Sequence, residues 1–367
     1  MQRFSLGLDI GSISVNTVVI DRERNIVENH YTLCHGRPFH GLHRVLADLL
    51  CRYPAEAFDT VAVTGTGGKL AVELIGGYFV NEIVAQSSAV AVFHPEARTV
   101  IEMGGEDSKL IIMNSDGEDG KSRLADFAMN TVCAAGTGSF LDQQAKRIGV
   151  SIEDEFGELA LESEDPPHIA GRCSVFAKSD MIHLQQIATP VHDIVAGLCF
   201  AVARNVRSNL ARGRDLETPL VFQGGVAANA GVARAFREVL KLRDDELIIP
   251  KYHASMGAIG AVFHVLDSPP DADLVFKGLD ALESYVEDPT VDLPHWPRLR
   301  RSAARGHKDV VFNPPAAGKL DVFLGIDVGS LSTNVVLIDD QNNVAARRYL
   351  PTASKPLEAI RRGLSEI

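Results

Sequence analysis

Positive charge is scarce in this chain: 36 lysines and arginines stand against 48 acids, a formal net charge of −12. Nucleic acid is bound through a basic footprint, so it is excluded as the main partner. Long apolar runs are also missing. A typical one, VAGLCFAVA, falls far short of the roughly 20 residues a membrane helix needs. The opening MQRFSLGLDIGS enters a strand pattern at once, without the charged, apolar and cleavage regions of a leader. A cytoplasmic protein with no membrane partner is expected. Cysteine is sparse as well. Cys34, Cys51, Cys133, Cys173 and Cys199 form an odd set with no CxxC spacing, which argues against a disulfide framework and a zinc ribbon. What remains is an ordinary globular mixture, 46% hydrophobic and 23% charged over 367 residues, enough for about two or three domains.

The first feature present is a repeat. LGLDIGSISVNTVVIDRERNIVENHY (6–31) returns as LGIDVGSLSTNVVLIDDQNNVAARRY (324–349), with roughly half the positions identical and no gap. Pro38 and Pro356 keep the same register. The second copy stops at Ile367, in what reads as its first helix, so the sequence is expected to be a piece of a longer protein. Residues 267–319 are rich in proline pairs and charge and read as a linker, its basic cluster Arg298–Lys308 as a solvated stretch. The expected organisation is a complete domain over 1–266, that linker, and the start of a second domain over 320–367.

Within the first unit, strand-like runs (FSLGLDI, VNTVVID, TVAVTG, RTVIEMG, SKLIIMN, PLVFQGG) alternate with stretches of helical spacing. These are His40–Cys51, Leu141–Ile148, Val191–Leu210 and Val232–Leu240. The pattern predicts an α/β fold. Three of the strands end in glycine turns. GLDIGSISVN places Asp9 at a strand end before Gly11, with Ser12 and Ser14 as hydroxyl donors and Asn16 on the return strand. Glycine lets backbone N–H groups approach phosphate oxygens. Asp9 is placed to hold Mg²⁺ through water, since that ion takes one or two carboxylates plus phosphates. VIEMGGEDSKLIIM repeats the design with Glu102, Gly104, Gly105, Glu106, Asp107 and Lys109. In LVFQGGVAANAGV, Gly224 and Gly225 follow a strand and open a helix beside Asn229, a seat for the adenosine side of a nucleotide.

The order acid-x-Gly-Ser, acid-x-Gly-Gly and Gly-Gly-Val-Ala-x-Asn resembles the acetate kinase, sugar kinase, Hsp70 and actin superfamily. That resemblance implies two ribonuclease-H-like halves closing over ATP. The words NTVCAAGTGSFLDQQA, GRCSVFAKSDMI, QGGVAANAGV and YHASMGAIGA are similar to the BadF/BadG/BcrA/BcrD-type ATPases, which include activators of 2-hydroxyacyl-CoA dehydratases and benzoyl-CoA reductases. The likeness covers Phe4 to about Leu266 and resumes at Phe323. It departs at three places. Asn16, matched by Asn334 in the second copy, stands where the family usually has lysine. Glu102 and Glu106 stand where an aspartate and a glutamine are usual. These departures bear on turnover more than on binding, because Glu106 adds negative charge near phosphate.

What the resemblance implies next concerns two cysteines. A four-iron, four-sulfur cluster takes four thiolates. Cys133 and Cys173 from each of two ATPase units, in two chains or in two repeats, would share one cluster. Cys133 would then sit at a helix N-terminus, where the dipole favours an anionic group, with Gly136, Thr137 and Gly138 leading toward the nucleotide. Asp9, Glu102 and Glu106 would be the catalytic acids. The resemblance thus implies an ATP-dependent activase that takes an electron from a reduced donor and passes it to a CoA-ester dehydratase or reductase. Two alternatives stay open: a small-molecule kinase with Asp107 as base, and a nucleotide-binding module without turnover. Cys34, Cys51 and Cys199 are expected to be packing residues. His168 and His253 are expected in loops or caps.

Overall fold

A computed structural model describes residues 3–114, 122–130, 136–171, 173–269, 275–287, 319–329, 332–352 and 356–367. The chain divides into two compact units, 1–291 and 292–367.

The first unit is built on two sheets of one topology. Three strands, β1 (Phe4–Ile10), β2 (Ser14–Asp21) and β3 (Ile26–Leu33), form an antiparallel meander. Then β4 (Phe58–Thr64) and β5 (Tyr78–Phe79) add in parallel on the other side of β1, giving the order β3-β2-β1-β4-β5. The second sheet repeats this with β6 (Thr99–Met103), β7 (Ser108–Asn114) and β8 (Arg123–Asn130), joined by β9 (Leu220–Gln223) and β10 (Leu247–Ile248). Its order is β10-β9-β6-β7-β8 with the same strand senses.

Alternation along the strands sorts side chains into layers. Leu6, Leu8 and Ile10 of β1 face outward onto α1 (Pro38–Arg52) and α2 (Gly68–Ile75). Ile101, Met103 and Leu110 face outward onto a cluster of α4 (Gly138–Ile148), α5 (Phe156–Glu162), α6 (Ser174–Gln186), α7 (Val191–Asn209) and α8 (Ala230–Leu240). Between the sheets lie α3 (Glu82–Phe93) and α9 (Met256–Asp267), packed against Val18, Ala62, Val100, Ile111 and Val221. Two glycines permit this inner layer. A β-carbon on Gly7 would stand 2.4 Å from Ala258 O, and one on Gly260 would stand 1.8 Å from Ala85 O.

The four helices expected from spacing are present, each beginning two to three residues early or ending within one residue of the expected bound. Part of the stretch read as linker is folded. Phe276 and Leu282 are buried in the outer cluster with Phe58, and α10 (Asp280–Glu287) packs on α1 and α2. Residue 266 therefore lies inside the first compact unit. The cluster Arg298–Lys308 lies outside the described residues. Cys34 and Cys199 are buried and Cys51 is exposed on α1. His253 is a loop residue. Among the described residues, no helix is long and apolar enough to cross a membrane.

The second unit reproduces the opening meander. Strands β11 (Phe323–Val328), β12 (Ser332–Ile338) and β13 (Val344–Pro351) pair antiparallel, and α11 (Pro356–Glu366) covers Val335 and Leu350. The copies agree in detail. Asp327 pairs with Asn334 as Asp9 pairs with Asn16. Gly329 N–H donates to Ser332 O at 2.8 Å, as Gly11 does to Ser14 O at 3.0 Å.

Candidate functional site

Each sheet of the first unit turns polar at one level of its inner face. Strand pairing sets Asn16, Asp9 and Thr64 side by side across β2, β1 and β4. It also sets Lys109, Glu102 and Gln223 side by side across β7, β6 and β9. Laterally paired residues project to one face, here the face that is apolar further along each strand. The alternation that builds the core thus builds the polar floor at the strand ends.

Beyond each row the backbone turns on glycine. Gly104 N–H donates to Asp107 O at 3.1 Å, matching the Gly11–Ser14 turn. The two turns meet at their tips, where a β-carbon on Gly105 would stand 2.4 Å from Ile13 Cγ1. A third turn follows β9. Gly224 has φ 90°, a conformation glycine adopts without cost, and a side chain there would fall 2.3 Å from Met103 O. His253 fastens this turn: its carbonyl accepts Gly224 N–H at 2.8 Å and its Nδ1 lies 3.0 Å from Gly224 O.

These elements enclose a cleft of about 1040 Å³, at the upper end of the range of about 300–1,000 Å³ for small-molecule sites. Asp9, Gly11, Ser12, Ser14 and Asn16 line one wall. Glu102, Gly104, Gly105, Glu106, Asp107 and Lys109 line another, and Gly138, Gly224, Gly225 and Asn229 complete it. Gly136 and Thr137 do not line the cleft. The start of α4 is instead docked on the second turn: Gly138 N–H donates to Gly104 O at 2.9 Å and Ser139 N–H to Gly105 O at 2.8 Å. Asn16 is 7% exposed, and its Oδ1, on the cleft wall, has no partner. A buried unpaired acceptor of this kind is what a polar ligand satisfies.

Residues on the cleft wall that were not singled out by sequence include Tyr31, Thr66, Glu82 and Gln86. The last two project from α3. Glu82 lies 3.2 Å from Lys109 Nζ, and Gln86 Oε1 accepts from Gln223 Nε2 at 2.6 Å. Their signal was the spacing of four between Glu82 and Gln86, just after Asn81, whose side chain caps the helix by accepting from Ile83 N–H.

Lys109 is the hub of the charge. Its ammonium is 2.9 Å from Glu102, 2.9 Å from Asp107 and 3.2 Å from Glu82. Burial favours the neutral amine, but the Glu102, Glu82 and Asp107 carboxylates more than offset this and hold the lysine protonated. Asp9 faces this excess of acid. Burial first, then the charges of Glu82 and Glu102, push its carboxyl up to about 7. Phosphates entering such a site need a cation. The Asp9 carboxylate on the cleft wall fits Mg²⁺, which comes with phosphates and takes one or two carboxylates.

The Asp9 shift gives a pH dependence. The folded carboxyl keeps its proton up to about pH 7, whereas in the unfolded chain it ionises near pH 4. Below the lower value both states are protonated and the full contribution is present; it is lost as pH rises through the folded value. Ligand-free protein is expected to lose on the order of 2 kcal/mol between pH 5 and pH 8 from this group. Urea unfolding of wild type and Asp9→Asn at both pH values checks it. An unchanged pH slope in the variant would overturn it.

Of the two expected cluster ligands, Cys173 is described and does not line the cleft. Cys133 is outside the described residues, five positions before α4. Cys173 occupies the N-cap position of α6, half-buried, with no side-chain capping bond. The free N–H groups of that first turn suit an anionic ligand. Val175 and Phe176, each 65% exposed, flank it with apolar surface. A thiolate in this position fits iron–sulfur ligation, with the remaining thiolates coming from elsewhere.

Two sheets of one topology, each ending in a glycine turn over a shared cleft, define the actin-like nucleotide-binding fold of sugar kinases and Hsp70. The family described as the BadF/BadG/BcrA/BcrD ATPase family matches residues 6–264, and the chain belongs to it. It is 34% identical over 280 residues to the 2-hydroxyisocaproyl-CoA dehydratase activator of Clostridioides difficile, covering 75% of this chain and 100% of that one. It is 30% identical over 273 residues to the activator of lactoyl-CoA dehydratase of Anaerotignum propionicum, covering 72% and 98%. The solved structure of the activator of the 2-hydroxyisocaproyl-CoA dehydratase from Clostridium difficile with bound ADPNP superposes with a TM-score of 0.65 at 31% identity. The match covers 78% of this chain and 99% of that one.

Proposed function

We propose that the protein is an ATP-dependent reductive activase. Two ATPase units hold one four-iron, four-sulfur cluster, and an electron from a reduced donor is passed to a CoA-ester dehydratase or reductase. The observation that carries this reading is the docking of α4 on the second glycine turn. Gly138 and Ser139 are bonded to Gly104 and Gly105, and Cys133 precedes them by five and six positions. A change at the phosphate turn is thereby delivered to the backbone that carries a thiolate. The relatives named as dehydratase activators support the partner class.

In this reading the turns at Gly11 and Gly104 bind the phosphates through backbone N–H groups, with Ser12, Ser14 and the Asn16 amide as further contacts. Gly224, Gly225 and Asn229 border the nucleoside. Asp9 would hold Mg²⁺ with the phosphates, and Glu106, exposed at the rim, would orient a water toward the terminal phosphate. The cluster supplies one-electron chemistry when bound by Cys133 and Cys173 of both units. The apolar first turn of α6 excludes water beside Cys173 once a second unit covers it.

Anaerobic reconstitution of the full chain with iron and sulfide tests the reading. Bound iron and ATP-stimulated electron transfer to a dehydratase are expected. The double variant Cys133→Ser, Cys173→Ser is expected to lose both while still binding ATP. Wild type without iron, or a double variant with undiminished electron transfer, would sink the proposal.

A further inference from the structure

The Lys109 ammonium donates hydrogen bonds to Glu102 and Asp107, and Glu82 stands at ion-pair distance as a third carboxylate. Glu102 and Asp107 belong to the same hairpin as the lysine. Glu82 belongs to α3, a different element, and makes the longest of the three contacts at 3.2 Å. Lys109 is 3% exposed yet lines the cleft. Its charge is therefore engaged by three carboxylates at the wall of the cleft it lines.

Glu82 is held on this duty by its helix. Gln86, one turn further along the same face, is buried and bonded to Gln223 of β9 at 2.6 Å. Gln86 Nε2 and Asp9 Oδ2 converge on Gly257 of α9, where a β-carbon would stand 2.9 and 2.4 Å from them. The face of α3 is thus pinned to the second sheet at Gln223 and at Lys109, and set beside Asp9 of the first.

We infer that Glu82 is a positioning residue for ATP turnover. Its charge keeps Lys109 from binding the phosphates of the resting nucleotide, so that the ammonium is released only when α3 and the β6–β7 turn shift. An interaction made in the transition state and withheld in the ground state raises turnover; one made equally in both only tightens binding. The inference rests on the reading that the cleft hydrolyses ATP.

Glu82→Gln replaces the carboxylate by a neutral group of the same shape and so removes its ion pair with the ammonium. Lys109 then turns toward the nucleotide. The full chain with Glu82→Gln is expected to bind the non-hydrolysable analogue ADPNP with Mg²⁺ about fivefold tighter, and to release phosphate from ATP about tenfold more slowly. Calorimetry and a phosphate-release assay read the two effects. Glu82→Asp, which keeps the charge, is expected to return affinity to within about twofold of wild type. Weaker or unchanged ADPNP binding by the glutamine variant, or equal tightening by the aspartate variant, would overturn the inference. Wild type that binds ADPNP but releases no phosphate would instead overturn the turnover reading, and the affinity comparison would still test Glu82.

Discussion

Lys109→Met is expected to cost about 3–5 kcal/mol of folding stability near neutral pH and to abolish ATP turnover. Methionine fills nearly the same space, so the loss is electrical. Glu102 is 5% exposed, and Asp107, Glu82 and Asp9 crowd the same floor. Without the ammonium these carboxylates face one another with no compensating cation. They then either take up protons or admit water, and both spoil the floor. The deficit is expected to shrink toward pH 5, where the most buried acids protonate at less cost. Urea unfolding at pH 5 and pH 8 separates this from simple loss of packing, which pH would leave unchanged. A variant within about 1 kcal/mol of wild type at pH 8 would show that the carboxylates do not depend on Lys109.

The second large effect is steric. Gly260→Ala is expected to lower stability by about 3 kcal/mol, the upper end of the usual overpacking range. The new methyl would start 1.8 Å from Ala85 O, 2.7 Å from Ala85 C and 2.9 Å from Ala89 N. All three are backbone atoms of α3, which cannot rotate aside. The helices must therefore separate, drawing Gln86 away from Gln223 and opening the apolar seam of Ile83, Ala89, Ile259 and Val262. Thermal unfolding checks the stability loss. Phosphate release is expected to fall in parallel, because α3 also carries Glu82. A variant with wild-type melting would mean that the helix crossing tolerates a spacing the packing denies it.

The sequence told most where local chemistry decides structure. A strand running into a glycine turn is a short-range pattern, and Asp9, Glu102 and the Gly224–Gly225 turn all line one cleft. The repeat was legible for the same reason, down to the Asp9–Asn16 pairing and its copy. Helices with one wet side, such as α7 and α8, announced themselves by spacing. Helices α3 and α9 did not. Each is covered by a sheet on either side and by the other helix, so apolar residues surround it and no stripe remains to be read. Glu82 and Gln86 were lost with α3. Lys109 lines the cleft, but its three carboxylate partners come from the fold and not from its neighbours in sequence alone. Gly136 and Thr137 fell outside the lining because the N–H groups that follow them bond to Gly104 and Gly105, a contact no spacing rule anticipates.

Residues 275–287 carry a practical meaning. The family match fades at residue 264, yet Phe276 sets its ring 6.4 Å from that of Phe58, Lys277 N–H bonds to Ile75 O at 2.8 Å, and Tyr285 meets Phe39 edge to face at 5.1 Å. A gene trimmed at the edge of the match would yield a protein with an uncorked greasy socket beside α2. Its tendency to clump would then be an artefact of where the scissors fell, unrelated to nucleotide or iron.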